Sequence, residues 1–128
     1  MDLPVKNYVQ YHNTATQGAL RISPDGGFQI FATKSIHHLV GQKVWLISGE
    51  GAKSPKSYYL RYCFNVEEIA DGTPNIARGF NGHRFDPPIH LNVRPWFREF
   101  LRKQQNFSLG VREIQDEFIG ELEGVLGR

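Results

Sequence analysis

His12, Asn13 and Thr14 close a short alternating stretch, NYVQYHNT, in which Val9 and Tyr11 interleave with Gln10 and His12. Alternation of this kind is the pattern of a strand with one buried face, and the short polar residues at its end favour a turn. A strand that ends this way delivers hydrogen-bonding groups to one place. Asn13 carries a donor and an acceptor together, and His12 supplies either, depending on its tautomer. Tyr8, Tyr11, Trp45, Tyr58, Tyr59, Tyr62 and Phe64 all fall on predicted strands. Most of these rings are needed for the core, but buried tyrosine and tryptophan also need partners for their polar atoms. An aromatic wall beside Asn and His suits a flat heterocycle, because stacking contributes about 1–3 kcal/mol per base and amides read its edge. Lys53 and Lys56 lie in a loop, and Arg61, Arg78, Arg84, Arg94, Arg98, Arg102 and Lys103 are strung along the second half. Such spacing suits phosphate contacts that position a nucleic acid without reading it, although a solvated basic surface accounts for any single one of them equally well.

Other chemistries find less support. His12, His37, His38, His83 and His90 are scattered, and no His-Glu-x-x-His or carboxylate cluster accompanies them, so no metal site and no cofactor is expected. Cys63 is the only cysteine, which excludes an internal disulfide and cysteine-rich zinc sites; between Tyr62 and Phe64 it reads as a small buried residue. Ser48 lacks the Gly-x-Ser-x-Gly frame of an activated nucleophile. The Gly49-Glu50-Gly51 turn continues into Ala52 and Lys53, which is neither a phosphate loop nor a dinucleotide fingerprint. Glu50 alone, with no acid to pair with, is a weak basis for general base catalysis. No catalytic residue is assigned.

The elements that must position these groups follow from periodicity. FQIFA (28–32) reads as a strand, and TKSIHHLVG as a two-turn helix with Ile36, Leu39 and Val40 as its apolar face and Gly41 as its stop. KVWLIS (43–48) is a continuous apolar strand, expected to be buried on both faces. SYYLRYCFNVEEI (57–69) is the longest predicted strand. Strict alternation places Tyr58, Leu60, Tyr62 and Phe64 on one side, and Tyr59, Arg61 and Cys63 on the other. ADGTPNIARGFNGHRFDPP reads as a long loop, followed by a short strand at 89–93. PWFREFLRKQQ makes a helix with Trp96, Phe97, Phe100 and Leu101 on one face. NFSLG (106–110) reads as a brief extended segment. Val111, Ile114, Phe118, Leu122 and Val125 then step by three, four, four and three, the signature of a helix over about 111–126. The predicted class is α+β: a curled, mostly antiparallel sheet with helices packed on it.

The 128 residues suit a single domain, 1–128, and the 40% apolar and 12% aromatic content suffices for a core. No apolar run approaches the roughly 18 residues of a membrane span, and the opening Met-Asp-Leu-Pro-Val-Lys lacks the features of a secretory signal, so a cytoplasmic protein without a membrane partner is expected. Net charge is +2, unevenly spread. Residues 113–128 hold five acids against Arg128, whereas residues 1–112 hold fourteen bases against eight acids. A basic body of this kind is compatible with a polyanion partner.

In this order the elements resemble the EVE domains of the PUA-like superfamily, which also includes YTH and ASCH domains. The resemblance spans nearly the whole chain through short motifs: YVQYHNT as the first strand and its polar turn, VGQKVWLIS as helix end and buried strand, YYLRYCFNVEEI as the next strand, and FSLGVREIQDEFIGELEGVLG as the closing strand and helix. The family usually has Lys, Ser or Thr, Glu and Pro at the end of the first strand, and an acid where Gln42 stands here. The resemblance implies a PUA-like curled antiparallel β-barrel with short helices. It also implies a reader that takes a flipped modified base, 5-methyl- or 5-hydroxymethylcytosine in DNA, into an aromatic pocket. Such domains often form the specificity half of modification-dependent restriction enzymes, beside a fused or associated HNH nuclease. On that basis Trp45 and Tyr11 are expected to wall in the base, with Tyr59 beside them. His12, Asn13, Thr14 and Ser48 would meet its edge, and Lys53, Lys56, Arg61 and Arg84 the backbone. The geometric core of this expectation is a cavity with Trp45 and Asn13 facing each other across it. Two other readings stay open: an RNA reader of the same fold, and a small ASCH-like nucleoside or amide hydrolase.

Overall fold

The structure, a computed structural model, describes residues 5–14, 27–51, 56–104 and 110–126. Their architecture is α+β and mostly sheet. Eight strands run in the order β1 (Asn7–Asn13), β2 (Phe28–Ala32), β3 (Lys43–Glu50), β4 (Ser57–Asn65), β5 (Glu68–Ala70), β6 (Asn75–Gly79), β7 (Gly82–His90) and β8 (Arg112–Glu113). Helix α1 (Phe97–Lys103) precedes β8, and α2 (Asp116–Leu126) follows it. Among the described residues the strands form two sheets rather than one closed barrel. One has five strands in the order β7-β4-β3-β1-β8; the other is β2-β6-β5. The larger sheet is mixed, because β1 runs parallel to β3 while its other pairs are antiparallel.

Burial arranges these elements in three layers. On one face of the large sheet Val9, Trp45, Ile47, Leu60 and Cys63 pack with Phe97 and Phe100 of α1 and with Phe118, Leu122 and Val125 of α2. On the other face Tyr8, Val44, Leu46, Tyr62 and Phe64 pack with Ile30 of β2 and Ala77 of β6. β3 contributes to both clusters, as its continuous apolar run predicts. Helix α2 presents the same face at Phe118, Leu122 and Val125, and Asp116 and Glu117 in its first turn complement the positive end of the helix dipole.

Several elements differ from the sequence reading, each for a tertiary reason. The two-turn helix at 33–41 is a single 3-10 turn at His37–Leu39; Ile36 and Leu39 are buried, Val40 is exposed, and Gly41 ends the turn at φ +83°. The long strand stops at Asn65. Its continuation, Glu68–Ala70, leaves for the other sheet to pair with β6. The expected loop at 70–88 contains β6 and most of β7, stabilised by pairing with β2 and β4 rather than by any local alternation. The last helix begins at Asp116, because Arg112 and Glu113 pair with β1 and the Ile114 N–H donates to the Asn7 carbonyl. The extended segment at 106–110 lies outside the described residues except for Gly110.

One local irregularity decides where the polar residues of β4 go. Leu60 pairs with Ile47 and Tyr62 with Leu46, so two steps on β4 match one step on β3 and Arg61 is the extra residue of a bulge. Alternation therefore inverts at Arg61. Tyr58, Leu60 and Cys63 face the helices, whereas Tyr59, Tyr62 and Phe64 face the other way. The strict two-residue period misassigned Tyr62, Cys63 and Phe64 relative to Tyr58 and Leu60 for this reason.

Candidate nucleic-acid interface

The inversion lines up four polar and aromatic side chains across four strands. His12 of β1 stands opposite Ser48 of β3, Ser48 opposite Tyr59 of β4, and Tyr59 opposite His90 of β7. Directly opposed residues share a face, so His12, Ser48, Tyr59 and His90 form one row on the side away from the helices. Glu50, two residues beyond Ser48, belongs to the same face.

Arg61 ties the row together. Its Nε donates to Ser48 Oγ at 2.8 Å, and its guanidinium carbon lies 5.5 Å from the centre of the Tyr59 ring. Its Nη2 stands 3.5 Å from Glu50 Oε2, an ion-pair contact rather than a hydrogen bond, and that oxygen is buried without a hydrogen-bond partner. On the other side of β4 the His90 ring stacks on Tyr59 at 5.1 Å and 27°. Because β4 lies between β3 and β7, the phenol ring is flanked by a guanidinium and an imidazole. Ser48 is fully buried and serves to hold Arg61.

Three predicted site residues, His12, Ser48 and Tyr59, thus come together with the predicted phosphate residue Arg61. Others do not join them. Trp45 has no exposed surface; its Nε1 donates to Asn7 Oδ1 at 2.9 Å and Lys43 Nζ sits 4.6 Å above the ring. Trp45 pairs with Val9 and Asn13 with Gly49, so four positions of strand separate them rather than bringing them face to face. The expected stacking wall at Trp45 is corrected: the indole is core. Tyr11 points to the helix side, where it packs on Tyr58 at 5.9 Å and its ring covers Gly49, whose missing Cβ makes room for it. Burial, then the nearby Tyr58 and Glu50, push the Tyr11 phenol up to about 12, so it stays a neutral donor. Asn13 shares the Tyr11 face by alternation, and Thr14 Oγ1 donates to the Gly49 carbonyl. Lys56 Nζ donates to the Gly51 carbonyl at 3.3 Å, clipping the β3–β4 connection; Lys53 lies outside the described residues. Arg84 is exposed on β7, with its guanidinium 5.6 Å from the Phe28 ring, on the far side of the bulge from Tyr59.

Sequence reasoning missed His90 and placed no weight on Glu50. The only signal for His90 was its position in the short alternating stretch IHLNV; nothing local announced Tyr59 as its neighbour. Cys63 is buried, and burial raises its thiol pKa, which fits a packing role. No group of three metal-ligating side chains is found among the described residues, and no described helix is long and apolar enough to cross a membrane. Among the described residues, open concavities flank the sheet. One, of about 780 Å³, is lined by Gln10, Phe31, Thr33, Lys34, Ser35 and Val111; another, of about 510 Å³, runs along β7. Comparison with family models, with curated proteins and with solved structures gives no match.

Proposed function

We propose that the chain is a nucleic-acid-binding module that takes one base, a modified cytosine in DNA, against the polar row of the large sheet. The observation that carries this reading is the Arg61–Tyr59–His90 stack beside a buried carboxylate oxygen of Glu50 that lacks a hydrogen-bond donor. A carboxylate accepts from the exocyclic amine of cytosine, and planar cationic and aromatic groups offer surfaces on which a base stacks. Arg61 holds Glu50 in place without satisfying it; the oxygen is covered in the free chain, so an incoming amine would supply the missing donor as the carboxylate turns outward. Tyr59 and His90 replace Trp45 and Tyr11 as the aromatic part of the site, and His12 lies at the end of the row beside Ser48.

In this reading the fold is PUA-like, a view supported by the second sheet that wraps the Tyr62–Phe64 face of the first. The module performs no chemistry of its own; in a cytoplasmic restriction system a fused or associated nuclease would cut. Extruding a base costs a few kcal/mol, and a methyl group gives only about 1–3 kcal/mol of discrimination in an apolar pocket. The test is titration of matched duplexes carrying cytosine, 5-methylcytosine or 5-hydroxymethylcytosine, with RNA of the same sequence as competitor. Tighter binding of a modified duplex by about tenfold or more is expected. Equal affinity for all three duplexes overturns the modified-base reading, and preference for the RNA reassigns the ligand. Release of a product from modified nucleosides would show a hydrolase instead.

A further inference from the structure

His90 faces two ways. Its ring stacks on Tyr59 in the polar row, and it also lines the groove of about 510 Å³ along β7, together with His83, Arg84, Asp86, Val93 and Arg94. Two buried nitrogens of that groove have no hydrogen-bond partner: Nε2 of His90 and Nε of Arg94. Both residues are half-buried and line the groove, while the two nitrogens themselves are covered, so an anion in the groove reaches them only as the side chains turn outward. Arg94 Nε is a donor at every pH, and His90 Nε2 is one in a neutral tautomer and in the cation. Buried donors without acceptors are rare in folded chains, and two in one groove call for an acceptor from outside.

The local structure explains how they meet. β7 is an edge strand, and the turn after it, closed by Arg94 N–H to the Leu91 carbonyl at 3.0 Å, brings Arg94 back beside His90. Pro87 and Pro88 carry no N–H, which makes this edge a poor template for another strand and leaves recognition to side chains. Charge points the same way. Asp86 is the one acid lining the groove, against Arg84, Arg94 and two histidines. Among the described residues no carboxylate lies within ion-pair distance of Arg84 or Arg94.

We propose that the β7 groove is a phosphate site in which Arg94 and His90 hold the oxygens of one phosphodiester and Arg84 supplies further positive charge. The phosphate would lie on the side of His90 away from Tyr59, and the base at the Glu50 end of the row. The nucleic-acid source of the phosphate rests on the function proposed above; the anion chemistry of the groove does not.

The experiment uses the full chain and its Arg94→Gln and Arg94→Lys variants, each checked for folding by circular dichroism. Affinity for an unmodified and a modified duplex is measured between about 50 and 200 mM salt. Loss of one phosphate contact lowers the slope of log affinity against log salt by about 0.9. That decrease is expected for Arg94→Gln on both duplexes alike, with the slope retained in Arg94→Lys. In a second arm inorganic phosphate is titrated while the His90 imidazole is followed by NMR; a saturable shift that Arg94→Gln abolishes is expected. An unchanged slope in Arg94→Gln, or no saturable shift in the wild-type chain, overturns the groove. Failure of the base reading has a different signature: no preference between the duplexes, with the Arg94→Gln slope still lowered. If no duplex binds and the phosphate shift persists, the groove is a free-phosphate site and the nucleic-acid reading falls.

Discussion

Tyr58 and Tyr59 are neighbours in one strand and lead different lives. Tyr58 turns to the helix side, where Tyr11 lies at 5.9 Å and Phe97 at 5.3 Å, in a layer that continues into Phe100 and Phe118. Tyr59 turns to the opposite side, between His90 and Arg61, in a layer that ends in Ser48, Glu50 and His12. The first face is an apolar core closed by two helices. The second is apolar only where β2 and β6 cover it, around Tyr62 and Phe64, and polar beyond the bulge at Arg61. The polar row thus begins where the apolar contacts of β2 and β6 stop, and the site proposed above is placed there for that reason.

Substitution at Trp45 separates core from site most sharply. Trp45→Ala should cost about 3–5 kcal/mol in urea unfolding, and Trp45→Phe about 1–3 kcal/mol, because the buried Asn7 Oδ1 loses its donor. Neither should alter which duplex the folded fraction prefers. A changed preference without lost stability would return the indole to the site.

On the other face, alkaline pH probes Tyr62. Burial, opposed by Arg84, pushes its phenol up to about 12, from an ordinary value of 10.0. Since the folded state keeps the proton that the unfolded chain loses, this stabilisation is complete below pH 10 and is lost as pH climbs from 10 towards about 12. At about 1.4 kcal/mol per pH unit, Tyr62 should account for roughly 2–3 kcal/mol of the loss across that window, with Tyr11 contributing beside it, and Tyr62→Phe should make the decline shallower. An equally steep decline in Tyr62→Phe would place the titrating group elsewhere.

The two adjacent tyrosines allow a direct exchange of effects. Tyr59→Ala should weaken binding of the preferred duplex by about 1–3 kcal/mol, on the order of 10- to 100-fold, with a small change in melting temperature. Tyr58→Ala should do the reverse. Matching losses of affinity in the two variants would erase the distinction between the faces.

The smallest effect on stability is expected at Glu50. Glu50→Gln should move unfolding by no more than about 0.5 kcal/mol, as for a partly exposed ion pair, yet reduce the preference for the modified duplex. Unaltered discrimination in this variant would leave the buried oxygen without a role in reading the base.

Much of the scaffold was legible in local pattern. The apolar run of β3, the β2 alternation, the Phe118–Leu122–Val125 face of α2 and the stop at Gly41 each express a preference that neighbours in sequence enforce. The β6 and β7 strands were not, because Asn75–Gly79 and Gly82–His90 have little apolar alternation and gain much of their structure from β2 and β4, which lie far back in the chain. The candidate site was half legible. His12, Ser48, Tyr59 and Arg61 could be picked by chemistry, but Trp45 and Tyr11 were chemically just as suitable, and only packing assigned them to the core.

The amino-acid sequence by itself determined the residue types, the strand and helix tendencies and the two-sided burial of β3, because these depend on backbone preference and on side chains a few positions apart. Pairing decided the rest. The register of β1, β3, β4 and β7 and the one-residue bulge at Arg61 set which side chains share a face. A strand's alternation specifies two faces but not which of them a distant strand will cover, and one extra residue exchanges them.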